Sequence, residues 1–171
     1  MSNAQGEAKP ELSTTVDAVA WSISKILAPG EVASLRRLRP EDVGSDAFWR
    51  IVAAHLAPVL ADSGPFRDEA ERRWAVVVQA MAEMRGLHAR GLRLGRALAA
   101  AGLSEQRAVR LLRASGASLA DAVRVTAHYL ASTATASDHA DLARLVLSDG
   151  RRDEEDVRRR IARDLYAGLA A

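Results

Sequence analysis

The spacing of apolar residues constrains the fold of this chain more than any other feature. Along its 171 residues, apolar side chains recur at intervals of three and four almost everywhere, and alternating strand patterns are nearly absent. Such spacing places the apolar side chains on one face of an α-helix. The sequence therefore predicts a compact all-α protein of about eight to nine helices, separated by prolines and glycines. The predicted helices cover 13–27, 31–38, 45–60, 65–85, 92–101, 104–115, 118–131, 138–148 and 153–169.

Two glycines indicate how these helices are grouped. Gly86 and Gly91 bracket the loop "GLHARG", which we expect to separate two packed helical-bundle subdomains, at 11–88 and 89–171. The second of these carries the more basic surface. At the start of the chain, "MSNA" is typical of an expression-tag remnant, and residues 1–10 are predicted to comprise this remnant and a flexible N-terminus.

The residues that carry most enzyme chemistry are absent or scattered. There is no cysteine, which excludes disulfides, thiolate catalysis and cysteine-based zinc sites. The four histidines are isolated from one another, and no nucleophile-elbow or phosphate-loop motif occurs. Asp138 is expected to cap a helix rather than to bind a metal with Asp141. No apolar run approaches the roughly 20 residues that span a bilayer. We therefore expect a cytoplasmic protein that is not an enzyme and has no cofactor and no metal.

Aromatic residues are few, at 4% of the chain. Trp21, Trp49 and Trp74 each lie on or beside an apolar stripe, so we expect all three in the core rather than at a ligand site. Few rings are then left to stack on nucleic-acid bases, and any contact with nucleic acid would depend on charge.

Charge is distributed unevenly, although the formal net charge is only +2. From Arg85 to Arg113 there are seven arginines and one glutamate, a local charge of +6, so the remainder of the chain is net negative. In the helix predicted at 104–115, Arg107, Arg110 and Arg113 fall within an arc of about 120°, opposite the apolar side chains. Such a face is either an ordinary solvated coat or a surface for phosphate, which the planar fork of arginine binds in bidentate fashion.

The other arginine groups differ in the carboxylates near them. Arg90, Arg93 and Arg96 have no acidic neighbour in the local sequence, which favours the phosphate-binding interpretation. Arg36 and Arg37 lie in "LRRLRP", where nearby acids could neutralise them internally. In "DEEDVRRRIARD", close to the C-terminus, acids precede arginines at helical spacing. We expect those charges to be structural, because they suit the helix dipole and pair one turn apart.

Several short motifs follow one another along the chain in an order that bears on its family. They are "SLRRLRP" before "DAFWRIV", then "LRLGRALAAAGLSEQRAVRLLRA", and finally "DLARLVL" before "DVRRRIARDLY". Together they resemble the small subunit of the type I-E CRISPR effector complex Cascade, the CasB family. The resemblance covers residues 16–169 and is most specific in the central block. Ile161 and His139 depart from the family pattern, since a tryptophan is expected at both places.

This resemblance implies an all-helical, non-catalytic subunit in two subdomains. Two copies are expected beside the crRNA-bearing backbone subunits, where a basic surface helps to hold target DNA, the displaced strand and crRNA as the R-loop forms. No membrane partner is implied. Arg37 matches the second arginine of the family's "LRR", Arg96 matches "LGRAL", and the arginines of the next helix match its basic face. The predicted nucleic-acid-binding residues are Arg36, Arg37, Arg90, Arg93, Arg96, Arg107, Arg110, Arg113 and Arg124.

Two other functions fit a helical chain with a basic segment. A helix-turn-helix regulator could form from 104–131, but it would need polar or basic residues at the start of its second helix. Leu119 and Ala120 stand there instead, which disfavours the reading of duplex DNA. A helical adaptor that binds only protein would pair its arginines with acids across the fold and leave no exposed positive track.

Overall fold

The computed structural model describes residues 10–60 and 63–171. Across these residues it contains nine α-helices and no β-strand, which confirms the predicted all-α class. The helices are α1 (Leu12–Trp21), α2 (Pro29–Arg36), α3 (Asp46–Ile51), α4 (Pro65–Glu83), α5 (Leu94–Ala100), α6 (Glu105–Arg113), α7 (Gly116–Ser132), α8 (His139–Ser148) and α9 (Glu154–Leu169). The predicted "MSNA" remnant lies outside the described residues. No helix in the described ranges combines the length and apolar character needed to cross a bilayer.

Two of the predicted helices change their winding before they end. The additional segments are a π-helix after α1 at Ser22–Ile26, a π-helix after α3 at Val52–Leu56, and a 3₁₀ turn at Ala57–Val59. Pro58 lies in that last turn. Because proline has no N–H to donate and a restricted φ, it shortens the helix that the sequence predicts at 45–60.

α4 is the central helix of the fold, since it packs against α2, α7 and α8. Its inward side chains include Trp74, Val77, Val78 and Met81, all at most 3% exposed. These are residues that the apolar spacing predicts on one stripe. A hydrophobic cluster joins buried side chains from every helix between α1 and α9. The division into two subdomains at residue 88 stays a prediction.

α5 crosses α9 at very short range because a glycine lies at the crossing. A Cβ atom at Gly95 would lie 2.3 Å from the carbonyl oxygen of Ile161 and 2.7 Å from the backbone nitrogen of Leu165. No side chain fits in that space, so the two backbones can touch only where glycine stands. A similar approach occurs further along α9, where a Cβ at Gly168 would lie 2.7 Å from the Cβ of Ala99. The crossing leaves the Arg96 side chain on the outer, exposed face of α5.

The prediction that all three tryptophans are buried is wrong for two of them. Trp74 is 3% exposed, whereas Trp21 and Trp49 are 58% and 41% exposed. Trp21 follows the buried Val19 by two residues, which is about 200° around a helix and therefore the opposite side. Trp49 follows Phe48, which takes the core position, and its ring packs against the Phe48 ring with centroids 5.5 Å apart. Both rings lie beside an apolar stripe without being part of it.

Candidate nucleic-acid interface

The arginine face of α6 is exposed. Ala108 and Leu111 are buried, and the three arginines Arg107, Arg110 and Arg113, hereafter the α6 triad, are solvent-accessible. Successive triad residues are three apart and so lie about 60° from each other around the helix. Among the described residues, the side chains of Arg110 and Arg113 have neither an ion-pair partner nor a hydrogen-bond partner. Their charge therefore remains available to a ligand.

α9 holds α6 at both ends. The Tyr166 hydroxyl donates a hydrogen bond of 2.8 Å to Glu105 Oε1, and this bond is the main reason that the pKa of Tyr166 is raised. At the other end, the Arg158 guanidinium donates to the carbonyl oxygens of Leu112 and Ala114, at 2.6 and 2.7 Å. These terminal carbonyls lack partners within α6, so an arginine from outside satisfies them. The α6 triad is thus carried on a helix that tertiary contacts fix in place.

A groove of about 750 Å³ runs between α6 and α7, and the α6 triad borders it. Apolar side chains form much of its wall, among them Val109, Ala122 and Val125. The Arg107 guanidinium lies 5.5 Å from the centroid of the Tyr129 ring, where the negative face of the ring attracts the cation. This contact orders Arg107 without removing its charge.

A second groove, of about 1120 Å³, lies between the end of α2, the outer face of α4 and the start of α7. Three predicted residues line it, namely Arg36, Arg37 and Arg124. The Arg36 Nε donates to the carbonyl oxygen of Ala82 at 3.0 Å, and Arg124 pairs with Asp121 at 3.3 Å. The side chain of Arg37 is exposed and has no such partner within the described part of the chain.

The structure adds arginines that the prediction omitted from the site. Arg39 and Arg72 line the same second groove. Arg39 stands in the "LRRLRP" motif, which was a usable signal, whereas Arg72 reaches the groove only because α4 packs beside α2. Arg163 on α9 is exposed and, within the described ranges, unpaired. In the sequence, Arg163 follows closely after arginines that are paired, so the local sequence does not distinguish it from them.

Carboxylates from distant parts of the chain neutralise two of the predicted site residues. Arg90 lies 3.0 Å from Asp17 of α1, and Arg93 lies 3.2 Å from Asp164 of α9. Counting acids in the local sequence could not detect these partners. Arg96 is different, since its exposed side chain has no partner in the part of the chain that the structure describes.

Asp17 also belongs to a histidine cluster that joins α1 to α8. His88 Nδ1 accepts a hydrogen bond from the backbone N–H of His139, so its Nε2 carries the proton and donates to Asp17 at 2.8 Å. The His139 ring is buried, with its centroid 4.9 Å from that of His88. Burial, the largest cause, lowers the pKa of His139 to about 3. His139 is therefore neutral in the folded protein near pH 7.

Asp138 of the α8 cap and several charged residues of α9 have structural roles, as predicted, whereas Arg163 has no partner among the described residues. Asp138 caps α8 by accepting a hydrogen bond of 2.9 Å from the backbone N–H of Ala140. Arg158 is buried and pairs with Asp149 and Glu154. Within residues 10–60 and 63–171, no cluster of three or more histidine or acidic side chains is arranged to hold a metal ion.

The fold and this surface define a small all-α protein whose α6 arginine face has no ion-pair partner in the described part of the chain. The family model for CRISPR-associated protein Cse2 matches residues 31–166. The chain therefore belongs to the CRISPR-associated Cse2 family, which is the CasB family that its motifs resemble.

A solved structure shows the same fold. One chain of the crystal structure of E. coli Cascade, bound to a PAM-containing dsDNA target with a 32-nt spacer, matches this chain with a TM-score of 0.68. The two are 23% identical, and the match covers 90% of this chain and 95% of that chain. No curated protein matches the sequence.

Proposed function

We propose that this protein is the small subunit of a type I-E Cascade complex and that it holds nucleic acid through phosphate contacts on the α6 triad. One observation carries the proposal: Arg110 and Arg113 are exposed on a rigidly held helix and have no partner among the described residues. An arginine pair of this kind binds phosphate oxygens without first breaking an ion pair. The match to a chain of E. coli Cascade supports the assignment.

Contacts with phosphate do not read sequence, and a subunit of a guide-directed complex needs no sequence preference of its own. An R-loop exchanges DNA pairing for RNA–DNA pairing at nearly equal free energy, so modest backbone contacts shift its stability. The ligands would be target DNA, the displaced strand and crRNA. The subunit would act in the cytoplasm without catalysis, in two copies beside the crRNA-bearing backbone subunits.

The other predicted arginines fall into two groups under this proposal. Arg37 and Arg96 are exposed and, among the described residues, unpaired, so they extend the surface directly. The remainder already hold a partner and would have to exchange a carboxylate or a carbonyl for phosphate, which lowers their net contribution. These are Arg36, Arg90, Arg93 and Arg124.

The test replaces the α6 triad by alanine and rebuilds a crRNA-loaded type I-E complex that lacks its small subunit. We expect normal incorporation of the variant, because the triad makes no contact that the fold requires, and target-DNA affinity about tenfold lower or more. The slope of log affinity against log salt should become shallower by about 2 to 3, because up to three phosphate contacts are lost. Binding assays across a salt titration measure both quantities.

A variant with Lys25, Arg50 and Arg159 replaced by alanine is the control for charge, since all three are exposed and lie outside both grooves. It loses the same formal charge, so a purely long-range charge effect would weaken binding equally in both variants. Equal weakening, or unchanged binding by the α6 variant, would contradict the proposal. Failure of the folded wild-type protein to enter the complex would contradict the assignment as a Cascade subunit.

A further inference from the structure

Asp121 of α7 stands out in the basic surface because it is acidic. Within the described residues it is the one carboxylate that lines the α6–α7 groove, and it also lines the second groove. Its side chain is 75% exposed. Asp121 therefore borders both grooves, and a nucleic-acid strand that occupied either groove would lie near its carboxylate.

The Asp121 carboxylate makes few contacts that stabilise the fold. Among the described residues, its one side-chain partner is Arg124, at 3.3 Å, and the Arg124 side chain is 60% exposed. A pair of this kind contributes little to stability, because water screens both charges and two mobile side chains must be ordered. Asp121 also lies beyond the first turn of α7, where an acid would benefit most from the helix dipole. The stability of the fold therefore depends little on Asp121.

Asp121 opposes phosphate binding in two ways. Its negative charge repels a phosphate that approaches the α6 triad from the groove. It also occupies Arg124, which would otherwise be a further free cation in the second groove. Both effects weaken the hold on any nucleic acid, whatever its sequence, since both act on the phosphate backbone.

We propose that Asp121 sets the affinity of this surface, keeping it too weak to retain nucleic acid that is not also held by base pairing to the guide. This inference rests on the proposed function. A matched target gains most of its free energy from the heteroduplex, whereas unrelated DNA depends on phosphate contacts alone. A carboxylate in the groove weakens both kinds of complex by a similar factor, but only the matched target keeps enough binding free energy from the heteroduplex to stay bound.

The experiment compares Asp121→Asn with wild type, both as the isolated protein binding a single-stranded oligonucleotide and as part of the assembled complex. The asparagine keeps the size of the side chain and removes its charge. We expect the isolated variant to bind the oligonucleotide about two- to fivefold more tightly at low salt, with the gain shrinking as salt is added. In the complex, affinity for unrelated DNA and for the matched target should rise by similar factors, and retention of unrelated DNA should increase because its starting affinity is weak.

Asp46→Asn is the matched control, since Asp46 is an exposed acid on α3 with no ion-pair partner among the described residues. An Asp121→Asn variant that binds no more tightly than the Asp46→Asn variant would overturn the inference. The double variant Asp121→Asn with Arg124→Ala should lose part of the gain, because Arg124 is then absent.

The α6-triad variant separates this inference from the proposed function. If the triad variant loses affinity but Asp121→Asn gains none, the proposed function stands and the role of Asp121 is refuted. If the triad variant keeps full affinity, the proposed function fails first and the inference fails with it. With the triad already replaced, the Asp121→Asn change should also have a smaller effect, since fewer phosphates are then drawn into the groove.

Discussion

α6 and α9 are both rich in arginine, yet the structure uses their charges in opposite ways. On α9, Arg158 is buried between carboxylates and carbonyls, and Arg159 lies 3.0 Å from Glu155. On α6, Arg110 and Arg113 reach solvent with no partner among the described residues. The number of arginines in a helix therefore says little about its function. What matters is whether carboxylates lie where the arginines can reach them.

The difference follows from the position of the acids along each helix. Glu154 and Glu155 precede Arg158 and Arg159 by four residues, which puts each acid and arginine on the same side of α9. On α6, Glu105 precedes Arg107 by only two residues, so their side chains diverge around the helix. The Tyr166 hydroxyl binds that glutamate instead. α6 is left with three arginines and no acid that can neutralise them from within the helix.

The largest effect is expected where an α9 arginine is removed from the interior. Arg158→Met should destabilise the protein by about 3–5 kcal/mol, because Asp149 and Glu154 lose their shared cation and two α6 carbonyls lose their donor. Arg110→Ala on α6 should change the free energy of unfolding by no more than about 0.5 kcal/mol. Denaturant unfolding measures both values. If Arg158→Met lowered the free energy of unfolding by less than about 1 kcal/mol, the proposed difference between the α9 and α6 arginines would be contradicted.

A second test extends the comparison from buried arginine to buried histidine. The folded-state pKa of His139 is about 3, below its value of 6.5 in an unfolded chain. As the pH falls, the histidine of the unfolded chain is therefore protonated before the buried one. The part of the free energy of unfolding that depends on neutral His139 is complete above pH 6.5 and is lost as the pH falls towards 3. Replacing His139 by phenylalanine removes the titrating group. As the pH falls from 6 to 4, the free energy of unfolding of the variant should rise relative to that of wild type by up to about 1.4 kcal/mol per pH unit.

Denaturant unfolding of both proteins at several pH values in this range supplies the measurement. Carboxylates titrate there too, but they are common to the two proteins and largely cancel in the difference. A difference between variant and wild type that does not change with pH would show that His139 accepts its proton without unfolding.

The smallest effect compares two arginines of the same helix. Arg159 is paired with Glu155, whereas Arg163 is exposed and, in the described part of the chain, unpaired. Each alanine substitution should leave stability within about 0.5 kcal/mol. If pairing decides availability, Arg163→Ala should weaken nucleic-acid binding by the assembled complex about two- to threefold, and Arg159→Ala should not. Equal effects of the two substitutions would show that helix position matters more than pairing.

Much of the fold is readable from local sequence. The nine helices lie close to their predicted ranges, because a helix depends on the spacing of apolar residues and on prolines and glycines that act within a few residues. The exposure of the α6 triad is predicted for the same reason. The two exposed tryptophans were missed because a residue beside an apolar stripe is buried only if another helix covers it.

The sequence by itself determined the all-α class, the order of the helices and the arginine face of α6. Each of these rests on interactions within one or two turns of helix. Only the tertiary structure decided which arginines are free, because Asp17 reaches Arg90 and Asp164 reaches Arg93 from more than 70 positions away along the chain. It also created the two grooves and placed Asp121 in the lining of both. Charges interact through space, and chain folding alone determines which of them become neighbours.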